Sequence, residues 1–163
     1  MTVVYVGAGS NSEPVVRLRA AVAALERAFG PVRCSAVYRS VAVGPPAPDY
    51  LNLAVAFDAQ RGPDAVKSVL VEIEATVGRM REEPRSALCA IDLDLLIHGC
   101  RVDAQRRLPH PDVLRRAFVL GPLAELAPDF VHPVTGECLR SAQARLAPSS
   151  PAIEDVGSLD ALA

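Results

Sequence analysis

A chain of 163 residues, half of them hydrophobic and with a net charge of −2, can bury one substantial core and lacks the positive field that draws nucleic acid. No apolar run reaches the ~18 residues a membrane span needs, and Cys34, Cys89, Cys100 and Cys138 show neither CxxC nor zinc-like spacing. The expectation is a cytoplasmic protein with free thiols, one domain over residues 1–147 and a loosely held tail over 148–163.

Val3 to Val6 reads as a short strand, and Gly7-Ala8-Gly9-Ser10-Asn11 after it as a turn and helix entry. Backbone N–H groups there could cradle phosphate, or the polar residues could simply cap the helix; the P-loop pattern is absent. From Pro14, Val15, Leu18, Val22, Leu25 and Phe29 recur at three and four residues until Gly30-Pro31, which predicts an amphipathic helix. Val32 to Val41 alternates as a strand. Three prolines in Gly44 to Asp49 then force a loop, because they remove backbone donors. Tyr50 to Phe57 predicts the next strand, with Tyr50 and Asn52 on one face.

Gly62-Pro63-Asp64 opens a second helix whose stripe is Val66, Val69, Leu70, Ile73 and Val77, ending at Gly78. A polar loop follows, carrying Arg79, Arg81 and Arg85, the clearest local cluster of positive charge. Beyond it, Ile91, Leu93, Leu95 and Ile97 alternate with Asp92 and Asp94, so a strand would set two carboxylates on one face. Such a pair suits a divalent cation and phosphoryl chemistry; the plainer reading is a solvated strand face. The C-terminal third reads as Leu108-Pro109-His110-Pro111, a helical stretch from Arg115 to Leu126, and a short helix at Leu139 to Leu146. Strand, helix, strand, strand, helix, strand predicts an α+β fold, a ferredoxin-like split βαβ sandwich with a mostly antiparallel sheet and C-terminal additions. Two helices would cover one face and leave the other for Tyr50, Asn52, Asp92 and Asp94.

The order of motifs resembles the 6-hydroxymethyl-7,8-dihydropterin pyrophosphokinases. It runs through Gly9-Ser10-Asn11, Tyr38-Arg39-Ser40, Gly44-Pro45, Pro48-Asp49-Tyr50-Leu51-Asn52, Glu74, Gly78-Arg79-x-Arg81, Ile91-Asp92-Leu93-Asp94 and Leu108-Pro109-His110-Pro111. It continues through Arg115-Arg116-x-Phe118-Val119-Leu120-x-Pro122-Leu123 to Ala127-Pro128. The resemblance implies transfer of pyrophosphate from ATP to the pterin hydroxymethyl group in folate biosynthesis, with AMP released. It implies catalytic roles for Arg79, Arg81, Asp92 and Asp94, with Asp92 and Asp94 holding two Mg²⁺ ions. It implies a pterin pocket from Ser40, Val43, Tyr50, Asn52 and Phe118, and ATP contacts from Glu74, Arg81, Arg85, His110 and Arg116. Which of Arg115 and Arg116 faces inward stays open. Expected partners are the small molecules ATP and pterin, without nucleic acid or membrane. The chain is expected as a monomer, open to association with folate-pathway enzymes.

One segment departs from the pattern. The family carries an arginine, a tryptophan and a second arginine shortly before the aspartates, where this chain has Arg85-Ser86-Ala87-Leu88-Cys89. A neutral thiol cannot replace a guanidinium on phosphate, which predicts slower turnover or a shifted substrate unless Arg79, Arg81 or Arg85 fills the space. Two alternatives therefore stand beside the first reading: a paralogue acting on another heterocyclic alcohol, and a weakly active pterin- or nucleotide-binding protein.

Overall fold

The computed structural model describes residues 1–78 and 88–163. Its elements are β1 (Thr2–Ser10), α1 (Pro14–Phe29), β2 (Arg33–Cys34), β3 (Val37–Ser40), β4 (Tyr50–Ala59), α2 (Pro63–Val77), β5 (Asp92–His98), α3 (Ala117–Leu126), α4 (Leu139–Leu146) and β6 (Glu154–Gly157). The sheet runs β5-β1-β4-β3-β6, with β2 paired to β4 and every pairing antiparallel. Without β2 and β6, that order with α1 after β1 and α2 after β4 is the expected ferredoxin-like arrangement.

Alternation along the strands divides the core. Val4, Val6, Leu53, Val55, Phe57, Ile91 and Leu93 turn toward α1 and α2 and meet Leu18, Leu25, Leu70 and Ile73. Leu18 and Leu25 are wholly enclosed, and truncating either to Ala costs about 2–5 kcal/mol. Among the described residues no helix is long and apolar enough to cross a membrane.

The second face is not left open, as the sequence suggested. α3 and α4 fold across one half of it and close a smaller core over Tyr5, Ala54, Ala56, Leu96 and Ile97. β5 bends to allow this. Val6 faces Leu95 and Tyr5 faces Ile97, so Leu96 is an extra residue, and Ile97 joins this second core rather than the side of Leu93. α3 begins only at Ala117, with Arg116 as its N-cap, so Arg115 precedes the helix.

Three more expectations are corrected. Gly7 to Ser10 belongs to β1 rather than to a turn, paired on both sides by β4 and, through Gly9, by β5. The strand expected over Val32 to Val41 is interrupted, because the Ser35 hydroxyl accepts from Ala54 N–H and the Glu125 carboxylate takes Ala36 N–H. Residues 148–163 return to the sheet instead of hanging loose. β6 pairs with β3, Leu159 is buried in the main core, and Arg19 on α1 donates to the Leu159, Asp160 and Leu162 carbonyls.

Candidate active site

The site lies on the half of the second face that α3 and α4 leave uncovered. Asp92 pairs with Gly9, Gly9 with Asn52, and Asn52 with Tyr38; one step along, Asp94 pairs with Gly7 and Gly7 with Ala54. With strands about 4.8 Å apart, the Asp92 and Asn52 backbones stand roughly 10 Å from each other. The floor between them has no side chain. A Cβ at Gly9 would come within 3.1 Å of Asn52 Oδ1, and one at Gly7 within 3.3 Å of Leu96 Cδ1. Glycine therefore gives a flat trough with an acid on one bank and an amide on the other.

A cavity of about 240 Å³ occupies this trough, lined by Ser40, Val43, Tyr50, Asn52, Phe118 and the two aspartates. All five residues expected to bind pterin thus meet, although Val43 is 64% exposed and forms rim rather than wall. Asn52 is buried, and its Nδ2 donates to Ser40 Oγ at 2.9 Å and to the Tyr38 carbonyl at 3.2 Å. Those bonds hold β3 and occupy the amide's donors, so Oδ1 is the atom Asn52 offers a ligand.

A second cavity, about 450 Å³, lies on the other side of the same carboxylates and is lined by Glu74, Asp92, Asp94, His110, Lys67, Arg106 and Arg107. Glu74 is buried and accepts Leu93 N–H at 2.8 Å, which fixes the strand residue between the two acids. His110 Nδ1 accepts Asp112 N–H at 3.3 Å, so a neutral ring keeps its proton on Nε2, ready for an anionic oxygen. The His110 backbone N–H donates to the Leu96 carbonyl at 2.8 Å.

Burial, with the neighbouring Asp92 charge next and Glu74 and Asp112 adding to it, holds the Asp94 carboxyl above the ordinary carboxylate range, against the opposing pull of His110. No Lys or Arg among the described residues pairs with Asp94. A carboxylate held in this way gains from a cation, and two hard oxygen donors on one strand face suit Mg²⁺ completed by phosphate and water.

Ser10 and Asn11 neither cap α1, whose N-cap is Glu13, nor line either cavity. They tie loops together. Asn11 Oδ1 accepts Cys89 N–H, Asn11 N–H and Ser10 Oγ both donate to the Cys89 carbonyl, and Asn11 Nδ2 donates to the Pro48 carbonyl. The approach to Tyr50 and the approach to Asp92 are thereby joined through the end of β1.

Of the other expected site residues, Arg79, Arg81 and Arg85 lie outside the described residues, as do Ser86 and Ala87. Arg115 and Arg116 are both exposed, and neither lines these two cavities. Sequence reading missed the glycine floor, Leu96 and Val119 in the first cavity, and Lys67, Arg106 and Arg107 in the second. Only the stripe of α2 could have signalled Lys67, which falls one residue after Val66 and off the buried face.

A ferredoxin-like sheet with paired carboxylates between a glycine-floored cavity and a cation-lined one defines an α+β protein with two adjoining ligand-sized cavities. Comparison with known proteins narrows the class. Residues 5–128 match the family described as 7,8-dihydro-6-hydroxymethylpterin-pyrophosphokinase (HPPK). A 2-amino-4-hydroxy-6-hydroxymethyldihydropteridine pyrophosphokinase of Synechocystis sp. is 44% identical over 142 residues, 82% of this chain and 71% of that protein. The protein of the same name from Methylorubrum extorquens is 43% identical over 155 residues, 91% and 96% of the two chains. Among solved structures, an HPPK-DHPS in complex with substrates superposes with a TM-score of 0.73 at 14% identity over 91% of this chain. Wild-type Plasmodium falciparum HPPK-DHPS with STZ-DHP gives 0.71 at 12% over 90%. This chain spans 46% and 43% of those two, and the likeness speaks for the fold. The chain belongs to the 7,8-dihydro-6-hydroxymethylpterin-pyrophosphokinase family.

Proposed function

We propose that this protein transfers pyrophosphate from ATP to the hydroxymethyl group of 6-hydroxymethyl-7,8-dihydropterin in folate biosynthesis, that it depends on Mg²⁺, and that Asp92 and Asp94 hold two such ions. One observation carries the reading: the two cavities meet at these carboxylates, so an acceptor in one and a triphosphate in the other would face each other across them. Tyr50 and Phe118 would stack on the pterin, and Asn52 Oδ1 would accept from its amino edge. Glu74 sets the strand, and His110 would donate to a phosphate oxygen. Arg79 and Arg81 would act in catalysis, and Arg81, Arg85 and Arg116 would contact ATP.

In the reaction the hydroxymethyl oxygen bonds to the β-phosphorus of ATP, the bond from that phosphorus to the α,β-bridging oxygen breaks, and AMP leaves while the hydroxyl gives up its proton. Bound Mg²⁺ would neutralise charge on the phosphate oxygens. The chain's own work is to hold both partners in register, which for phosphoryl transfer is most of the catalysis. We also assign it to the cytoplasm, as a monomer.

The test is incubation with ATP, Mg²⁺ and the hydroxymethyl dihydropterin, following AMP and pterin pyrophosphate. Equal amounts of both support the proposal. AMP only with another heterocyclic alcohol would replace the acceptor, and pterin binding without AMP under any condition would make the protein a binder.

A further inference from the structure

We infer that Glu125, on the last turn of α3, is a positioning residue for the acceptor ring: by clamping α3 to β3 it fixes Phe118 and the Asn52 amide relative to each other. The inference rests on the reading of the first cavity as the pterin site.

Phe118 and Glu125 stand seven residues apart on α3, two turns of helix, so both project from the same face. At a rise of 1.5 Å per residue they are roughly 10 Å apart along its axis. Phe118 lines the first cavity at one end of this face. At the other end the Glu125 carboxylate reaches β3 and the residue before it. Ala36 N–H lies 3.0 Å from Oε1 and 3.1 Å from Oε2 and donates to both, and the Tyr38 hydroxyl donates to Oε2 at 2.9 Å. Burial first, then this bond and the Glu125 charge, push the Tyr38 phenol above its ordinary range, so it remains a donor.

β3 in turn aims the amide. Tyr38 faces Asn52 across the strand pair, its carbonyl accepts Asn52 Nδ2 at 3.2 Å, and Ser40 Oγ accepts the same nitrogen at 2.9 Å. Tyr38 therefore grips α3 with its side chain and the Asn52 amide with its backbone. One carboxylate thus ties the aromatic wall of the slot to the strand that directs Asn52 Oδ1. A stacked planar ring tolerates little slack, because a gap of about 0.5–1 Å forfeits roughly a quarter to a half of each contact. Glu125 is exposed, so water competes for its bonds and their loss should loosen the slot without unfolding the chain.

The test compares Glu125→Ala, Glu125→Gln and Tyr38→Phe with Arg145→Ala, which breaks the exposed Arg145–Glu137 pair beside α4. Calorimetry would give dissociation constants for the hydroxymethyl dihydropterin, with and without Mg²⁺ and a nonhydrolysable ATP analogue, and for the analogue alone; melting would be followed for every variant. We expect Glu125→Ala to weaken pterin about 10-fold and Tyr38→Phe about 3-fold, with the analogue within about twofold in both. Glu125→Gln keeps one acceptor oxygen and should recover part of the loss. Tyr38→Phe should cost nothing further in the Glu125→Ala background, since the phenol has by then lost its partner. Arg145→Ala should leave pterin binding unchanged whatever its melting temperature. Wild-type pterin affinity in Glu125→Ala overturns the inference and leaves the pterin site standing. Equal weakening of pterin and analogue, or an equal loss of pterin affinity in Arg145→Ala, also overturns it, because the loss would then follow general loosening. If the wild-type protein binds no pterin under either condition, the reading of the cavity falls and the inference with it.

Discussion

Replacing Asp94 by Asn should make the protein more stable and abolish its activity. Asp92 and Asp94 lie two residues apart on one strand face, and a rise of about 3.4 Å per residue separates their Cα atoms by roughly 7 Å. At an effective dielectric near 20, two unit charges at that distance repel by about 2 kcal/mol. Asn keeps the shape and removes the charge. Allowing for partial solvent screening, the variant should gain about 1–2 kcal/mol, or roughly 2–8 °C in Tm, when measured with EDTA at pH 8.

The sign of the pH dependence follows from the raised folded-state pKa of Asp94. The folded protein holds this proton more tightly than the unfolded chain. Its contribution to stability is therefore present at pH below the unfolded carboxyl value and is lost as pH rises through the folded one. The Asn variant lacks this loss, so its advantage should grow from pH 4 to pH 8. Saturating Mg²⁺ and a nonhydrolysable ATP analogue should reverse the order, since a ligand at 100 times its Kd stabilises the wild type by about 2.7 kcal/mol. Scanning calorimetry across pH with and without ligand, beside AMP release, tests each step. A variant that melts below the wild type in EDTA at pH 8 would refute the repulsion. One that keeps turnover within tenfold would refute the role.

Three further outcomes are expected. Asn52→Leu removes Oδ1 and both Nδ2 bonds that hold β3, and should raise the KM for pterin about 30-fold or more with the KM for ATP within twofold; initial rates over both substrates decide it. Cys89→Arg restores a guanidinium where the family has one, on a backbone already fixed by Asn11, and should raise kcat about tenfold or more in single-turnover and steady-state assays; an unchanged rate means the missing charge is supplied elsewhere. Gly121→Val would push its Cβ into Ile153 Cδ1, where the C-terminal segment crosses α3, and should cost about 1–3 kcal/mol in urea denaturation; full stability in the variant would mean that this segment adds nothing to the fold.

Burial patterns that repeat within one element were legible before the structure. The stripes of α1 and α2 and the alternation through Leu93 and Asp94 depend on one side chain's direction relative to the next, which spacing alone determines. The carboxylate pair and the Tyr50–Asn52 face were visible for the same reason. Ile97 escaped because a bulge is set by the partner strand, and nothing in β5 itself announces the slip opposite Tyr5 and Val6. β6 escaped because Glu154–Gly157 has little apolar character; it is a strand through the free edge of β3, which it finds only after the chain has folded. Arg106 and Arg107 are indistinguishable as letters, and the positions of Asp64 and Asp103 make a strut of the first, whereas the second makes no ion pair among the described residues.

Gly7 and Gly9 show the difficulty most sharply. Local chemistry favours a turn for Gly-Ala-Gly-Ser-Asn, since glycine is permissive and Ser and Asn bond to nearby backbone. The chain instead uses glycine for the Cβ it lacks, a property that has no consequence until Asp92 and Asn52 stand on either side. Any side chain at Gly9 would meet the Asn52 amide and fill the space between acid and amide. The same residue thus keeps the strand regular and leaves the slot empty, and both effects come from pairings more than forty residues away in sequence.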